Sequence, residues 1–118
     1  MKAPILLLAL LLSFVPMAAL AVPYSTKVES IYMDGCQKGG AQSFKTNKLA
    51  PNMAKITSYC RCTLNKFEQT MTADEFVKAS TASIVKTKNK PVDAASEKSL
   101  AKLKALRGQV AAECVGAN

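Results

Sequence analysis

Cys60 and Cys62 sit two residues apart inside a stretch with helical periodicity, and this spacing restricts what the chain can fold into more than any other feature. Met53, Ile56, Cys60, Leu64, Phe67 and Met71 recur at steps of three and four, which places them on one stripe of a single helix. At about 100° per residue, Cys60 and Cys62 are separated by about 200° around that helix. They face nearly opposite sides and cannot readily bond to each other. Each must reach a different neighbour, so the helix that carries them needs packing partners on two sides.

The other two cysteines are Cys36 and Cys114, and the chain has no His and no Trp. A metal site would need several soft ligands converging on one point, and without His only Cys and Met could supply them. A redox pair would more usually be Cys-x-x-Cys opening a helix beside a strand pattern, which this sequence lacks. The expectation is two structural disulfides, no metal and no cofactor. Two pairings remain open. Cys60 at the centre of its apolar stripe and Cys114 on the inner stripe of the last helix favour Cys60 with Cys114. Cys62, on the more polar side with Lys55 and Lys66, then suits Cys36.

Disulfides agree with the N-terminus. Lys2, an apolar run over 5–15 and the small-x-small signature Ala19-Leu20-Ala21 predict a cleaved export signal over 1–21 and a single helical domain over 22–118. The apolar run is about half the roughly 20 residues that span a bilayer. No Cys follows the expected cleavage site, which argues against a lipoprotein anchor. A domain of this size buries only part of its apolar surface, so covalent staples help it. Export would deliver it to an oxidising compartment where they form.

Four amphipathic helices and no strand are expected, giving an all-α, small four-helix bundle stapled by two disulfides. The first runs over 26–38, with Thr26 and Glu29 at capping-box spacing and Val28, Ile31 and Tyr32 on one face. Gly39 and Gly40 are expected to stop it. It has the least apolar surface and should be peripheral. Pro51 suits the first turn of the second helix. Thr72 and Glu75 form another capping box, opening a third helix to about residue 86 whose inner face is Phe76, Val77, Ser80, Ile84 and Val85. Asp93 or Ser96 caps the last helix, which buries Leu100, Leu103, Leu106, Val110 and Cys114 and stops at Gly116.

Catalysis has little to build on. There is no His to act as a base, and Glu29, Asp34, Glu68, Asp74, Glu75, Asp93, Glu97 and Glu113 are scattered along the chain. Two carboxylates on separate helices could still converge. No phosphate-binding Gly-rich loop occurs. The expectation is a non-enzymatic protein with no catalytic residues.

Charge is the more informative signal. Without Lys2 there are 15 Lys plus Arg against 8 Asp plus Glu, a net of +7. Five of those positive charges are the balance over 86–107, where Lys86, Lys88, Lys90, Lys98, Lys102, Lys104 and Arg107 face only Asp93 and Glu97. These seven are the candidate anion-binding residues. Part of the run suits a helix C-terminus, whose dipole favours cations. The cluster also suits an anionic membrane surface or phosphorylated lipid, each Lys contributing about 1 kcal/mol there. Nucleic acid fits less well, because no aromatic residue interleaves with the Lys run and no recognition motif accompanies it.

Taken with the leader and the Lys-rich helical body, the framework Cys36…Cys60-x-Cys62…Cys114 resembles the short disulfide-bonded substrates of the type II secretion pathway of Gram-negative intracellular pathogens. That resemblance implies a virulence-associated protein that oxidises in the periplasm and is secreted to act on a host. No catalytic motif carries over. Cys-x-Cys in a helical bundle also looks like plant lipid-transfer proteins, but their scaffold has eight cysteines against four here. The leading expectation is a secreted protein whose basic surface binds phosphoinositide-like head groups. The alternative is a periplasmic accessory or inhibitor protein that grips a protein partner.

Overall fold

The computed structural model describes residues 22–117, so the expected leader over 1–21 lies outside the described residues. Four helices follow in order: α1 (Thr26–Thr46), α2 (Met53–Thr70), α3 (Ala73–Thr87) and α4 (Ala94–Cys114). No strand occurs among the described residues. The chain is an all-α fold with two disulfides. α1 lies on α2, α2 on α4, and α4 packs most extensively against α3.

Local chemistry explains most of the helix boundaries. At α3 the capping box is complete, with the Thr72 N–H donating to Glu75 Oε1 at 3.0 Å and the Glu75 N–H to Thr72 Oγ1 at 3.1 Å. Asp93 caps α4 by accepting the Ser96 N–H at 2.7 Å. Two starts differ from the sequence reading. Ser25, not Thr26, caps α1 by accepting the Val28 N–H, and Asn52 caps α2, which leaves Pro51 just outside the helix.

α1 also runs eight residues beyond its expected stop, passing straight through Gly39 and Gly40, neither of which has a positive φ. The glycine at position 40 serves a different need. A Cβ there would meet Ile56 Cγ2 at 2.7 Å, so Gly40 is where α1 crosses α2 at close range. The helix ends instead at Asn47, whose side-chain amide donates to Ser43 O at 2.9 Å, followed by Lys48 in the left-handed region (φ 58°). None of the residues of α1 is fully buried, in line with a peripheral helix.

The core gathers on α2. Ile56, Cys60, Leu64, Phe67 and Met71 are buried, whereas Met53 is 48% exposed at the start of the helix. From α4 come Leu100, Leu103, Val110 and Cys114, with Leu106 half-buried. α3 corrects its expected face. It buries Phe76, Ala79 and Ala82, while Val77 and Ile84 are 44% and 59% exposed. Small alanines turned inward let α3 approach α4 closely, while Val77 and Ile84 are left outside and Val85 and Ser80 are half-buried. Phe76 joins an aromatic cluster with Tyr24, Tyr32 and Phe67, ring centroids 5.0 to 6.1 Å apart. Tyr24 closes it from the N-terminal segment by donating its hydroxyl to the carbonyls of Phe67 and Met71 at 2.9 and 3.0 Å.

The disulfides are Cys36–Cys60 and Cys62–Cys114, with Cα–Cα distances of 5.8 and 5.7 Å. The two cysteines of α2 do serve two different neighbours, but the pairing favoured from the sequence is reversed. The reason lies in which side each neighbour occupies. α1 covers the Ile56 and Cys60 side through Gly40 and polar contacts, including Gln37 Nε2 donating to Thr57 Oγ1 at 3.0 Å. Lys66, which marks the opposite side as polar, reaches Glu113 of α4 at 3.0 Å, beside Cys114. That polar side is a seam between α2 and α4.

The two glycines of α1 give a direct check. Gly40→Ala must displace the stiff β-branched Ile56 and should cost about 1–3 kcal/mol. Gly39→Ala has open space around it and should be neutral or stabilise by up to about 1 kcal/mol. Denaturation midpoints of the two variants measure this, and equal midpoints would refute the close-approach role.

Candidate functional site

The seven cations of the 86–107 run are carried by the α3–α4 hairpin. α3 ends with the Lys88 N–H donating to Val85 O, and Asn89 then takes a left-handed conformation (φ 55°) that Asn tolerates well. Lys88 and Lys90 therefore project from an exposed tip between Thr87 and the Asp93 cap. Two other members of the run pair across the hairpin: Lys86 with Glu97 at 2.7 Å and Lys102 with Glu75 at 3.0 Å. Lys88, Lys90, Lys98, Lys104 and Arg107 make no ion pair among the described residues.

The run does not form one face. At about 100° per residue, Lys98 and Lys102 lie about 40° apart on α4, and Lys104 and Arg107 about 60° apart. Leu103, Val110 and Cys114 lie between Lys102 and Arg107 on one side of α4, and Leu100 lies between Arg107 and Lys104. Lys98 goes with the tip, whereas Arg107 turns toward a different feature.

That feature is an open groove of about 430 Å³ among the helices. Its floor is apolar, formed by Phe67, Phe76, Leu103 and Val110, each no more than 6% exposed. Tyr32 and Tyr59 stand on its walls, and Arg107 is the one charged residue lining it. Thr63 adds no unmet polar group, because its hydroxyl bonds Tyr32 Oη at 2.6 Å and donates to Cys60 O at 2.9 Å. Burial pushes the Tyr32 hydroxyl pKa up, while the Thr63 bond and the nearby Arg107 guanidinium oppose that rise. The sequence reading missed this groove. Its one visible trace is Arg107, a cation four residues after Leu103 and three before Val110, bordering the apolar stripe.

One pair of carboxylates does converge. Glu68 of α2 accepts the Tyr24 N–H at 2.5 Å, and Glu29 of α1 lies beside it. Partial burial raises the Glu68 pKa, Glu29 raises it further, and the Tyr24 bond and Arg61 act against the rise. The carboxylate thus holds the N-terminal segment against α2. Among the described residues, no group of three Cys, Asp or Glu is placed to hold a metal ion, and no helix is long and apolar enough to cross a membrane.

The chain matches no protein-family model, no curated protein and no solved structure. The functional reading rests on its own residues.

Glu68 makes the pH dependence of stability distinctive. Its native carboxyl holds a proton more readily than the unfolded one, so its contribution is fully present below the ordinary value of 4.5 and is lost as pH rises through the raised native value. Glu75, Asp93 and Glu113 have lowered values and work the other way, losing their contributions as pH falls through them. Glu68→Gln should therefore gain thermal stability relative to the parent as pH rises from the ordinary carboxyl value of 4.5 upward through the raised one. A pH-independent difference in Tm would count against this assignment.

Proposed function

We propose that this chain is an exported, non-enzymatic binding protein that engages anionic phospholipid head groups, phosphoinositides among them, through the tip of the α3–α4 hairpin. The observation that carries the reading is the pairing pattern of its cations. Lys86 and Lys102 are spent on ion pairs within the hairpin, but Lys88, Lys90 and Lys98 remain exposed and free of acidic partners among the described residues. Ile84, 59% exposed on the last turn of α3, precedes Lys88 by four residues. Cations with an exposed apolar side chain suit the interface of an anionic bilayer, where charge attracts and the apolar group inserts.

Two disulfides indicate an oxidising compartment. The expected leader and the resemblance to type II secretion substrates support release from the periplasm to act on a host. At about 1 kcal/mol per Lys, three free cations give weak binding that salt screens over about 8–10 Å, so avidity or local concentration would matter.

A second reading has its own support. Val77 and Ile84 are exposed and lie seven residues apart, about two turns along one face of α3, a surface that would suit a protein partner in the periplasm.

Co-sedimentation with phosphatidylcholine vesicles, with and without phosphatidylinositol phosphate, tests the leading reading. Binding should require the anionic lipid, fall as salt rises, and drop at least about tenfold when Lys88, Lys90 and Lys98 are all changed to Glu. Unchanged binding by that variant would overturn it. Binding to a periplasmic protein that resists high salt and is lost in Val77→Ser/Ile84→Ser would favour the second reading.

A further inference from the structure

The groove beside Arg107 is separate from the hairpin tip and does not need it. We infer that it is a binding site for one long-chain fatty acid, with the acyl chain on the floor of Phe67, Phe76, Leu103 and Val110 and the carboxylate on the Arg107 guanidinium. Shape and charge together select this occupant. A volume of about 430 Å³ sits at the small end of the roughly 300–1,000 Å³ usual for small-molecule sites. It fits a single chain better than a two-chain phospholipid.

The floor offers an acyl chain nothing to desolvate against. The Thr63 hydroxyl is already bonded to Tyr32 and to Cys60 O, and among the described residues no buried side-chain nitrogen or oxygen lacks a partner. Arg107 is exposed, lines the groove and has no acidic partner among the described residues, so the site carries one uncompensated positive charge. A planar guanidinium matches a planar carboxylate through two parallel N–H···O bonds. A phosphate dianion would call for further cations, and Arg107 is the only one in the lining.

Gly35 supplies a clean test. It lines the groove from α1, and a Cβ built on it meets nothing within 4 Å. Gly35→Leu should therefore fill the mouth without disturbing the fold, since Leu is also the better helix former. The experiment is displacement of a fluorescent fatty-acid analogue from the disulfide-bonded protein by palmitic acid, by methyl palmitate and by a two-chain anionic phospholipid below its vesicle-forming concentration.

Palmitic acid should compete, and Arg107→Gln should weaken it by roughly 10- to 100-fold while leaving methyl palmitate unaffected. Gly35→Leu should abolish probe binding with an unchanged or raised Tm. Equal competition by acid and methyl ester, stronger competition by the two-chain lipid, or unchanged probe binding in Gly35→Leu would each overturn the assignment. The Lys88, Lys90 and Lys98 to Glu variant keeps its fatty-acid affinity if this inference holds. Loss of vesicle binding and loss of probe binding thus report on different surfaces.

Discussion

Everything in this fold is arranged around the fact that two cysteines two residues apart on a helix point in opposite directions. α2 is made a central spine by that geometry: Cys60 fastens α1 to one side and Cys62 fastens α4 to the other. The bonds span 24 and 52 residues of sequence, and each stabilises by an amount on the order of 2–4 kcal/mol, chiefly by restricting the unfolded chain. Against the 5–15 kcal/mol typical of a whole domain, roughly, that is a large share. It explains how α1 can stay folded against α2 with no fully buried residue of its own. α3 carries no cysteine, and its attachment comes from Phe76 in the aromatic cluster and from Ala79 and Ala82.

Many features governed by local chemistry were legible in the sequence, although the caps Ser25 and Asn52 were not. The Thr72 and Glu75 capping box, the Asp93 cap and the stripes of α2 and α4 depend on residues within a turn or two of each other. The other features that were not legible depend on distant partners. Gly40 has the same sequence signature whether it stops a helix or admits a neighbour, and only the position of Ile56 decides between the two. Lys66 looks solvent-facing because it is charged, yet its amine reaches across to Glu113, and the disulfide pairing follows from that seam. The face of α3 misled for a related reason. Hydrophobicity nominates Val77 and Ile84, whereas close packing on α4 selects the smaller Ala79 and Ala82.

The candidate sites divide along the same line. The concentration of positive charge over 86–107 is a property of sequence, but its use depends on which cations find acids in space. The pairs Lys86–Glu97 and Lys102–Glu75 tie the antiparallel helices of the hairpin together. Both are partly exposed, so each contributes at most about 1 kcal/mol. Their greater effect is on the surface charge, because they pair two cations and leave the unpaired ones of the run at the tip, at Lys104 and at Arg107. Of the groove, the sequence shows only Arg107 beside an apolar stripe. Its lining comes from all four helices, and no window of sequence contains more than a fragment of it.

The groove combines an apolar floor with a wall in which some of the polar atoms are bonded internally. Thr63, Tyr32 and the Cys60 carbonyl satisfy one another along its wall. The floor beneath them is hydrocarbon. The aromatic rings that form much of that floor are also fixed for another purpose. Phe67 and Phe76 pack against Tyr24 and Tyr32, and Tyr24 is bonded to the last carbonyls of α2. The floor is therefore rigid before any ligand arrives, and a bound chain need not pay the entropy of ordering it. Arg107 is then the one charged group in the lining, without an ion pair among the described residues, and the charge selectivity of the site rests on that single guanidinium.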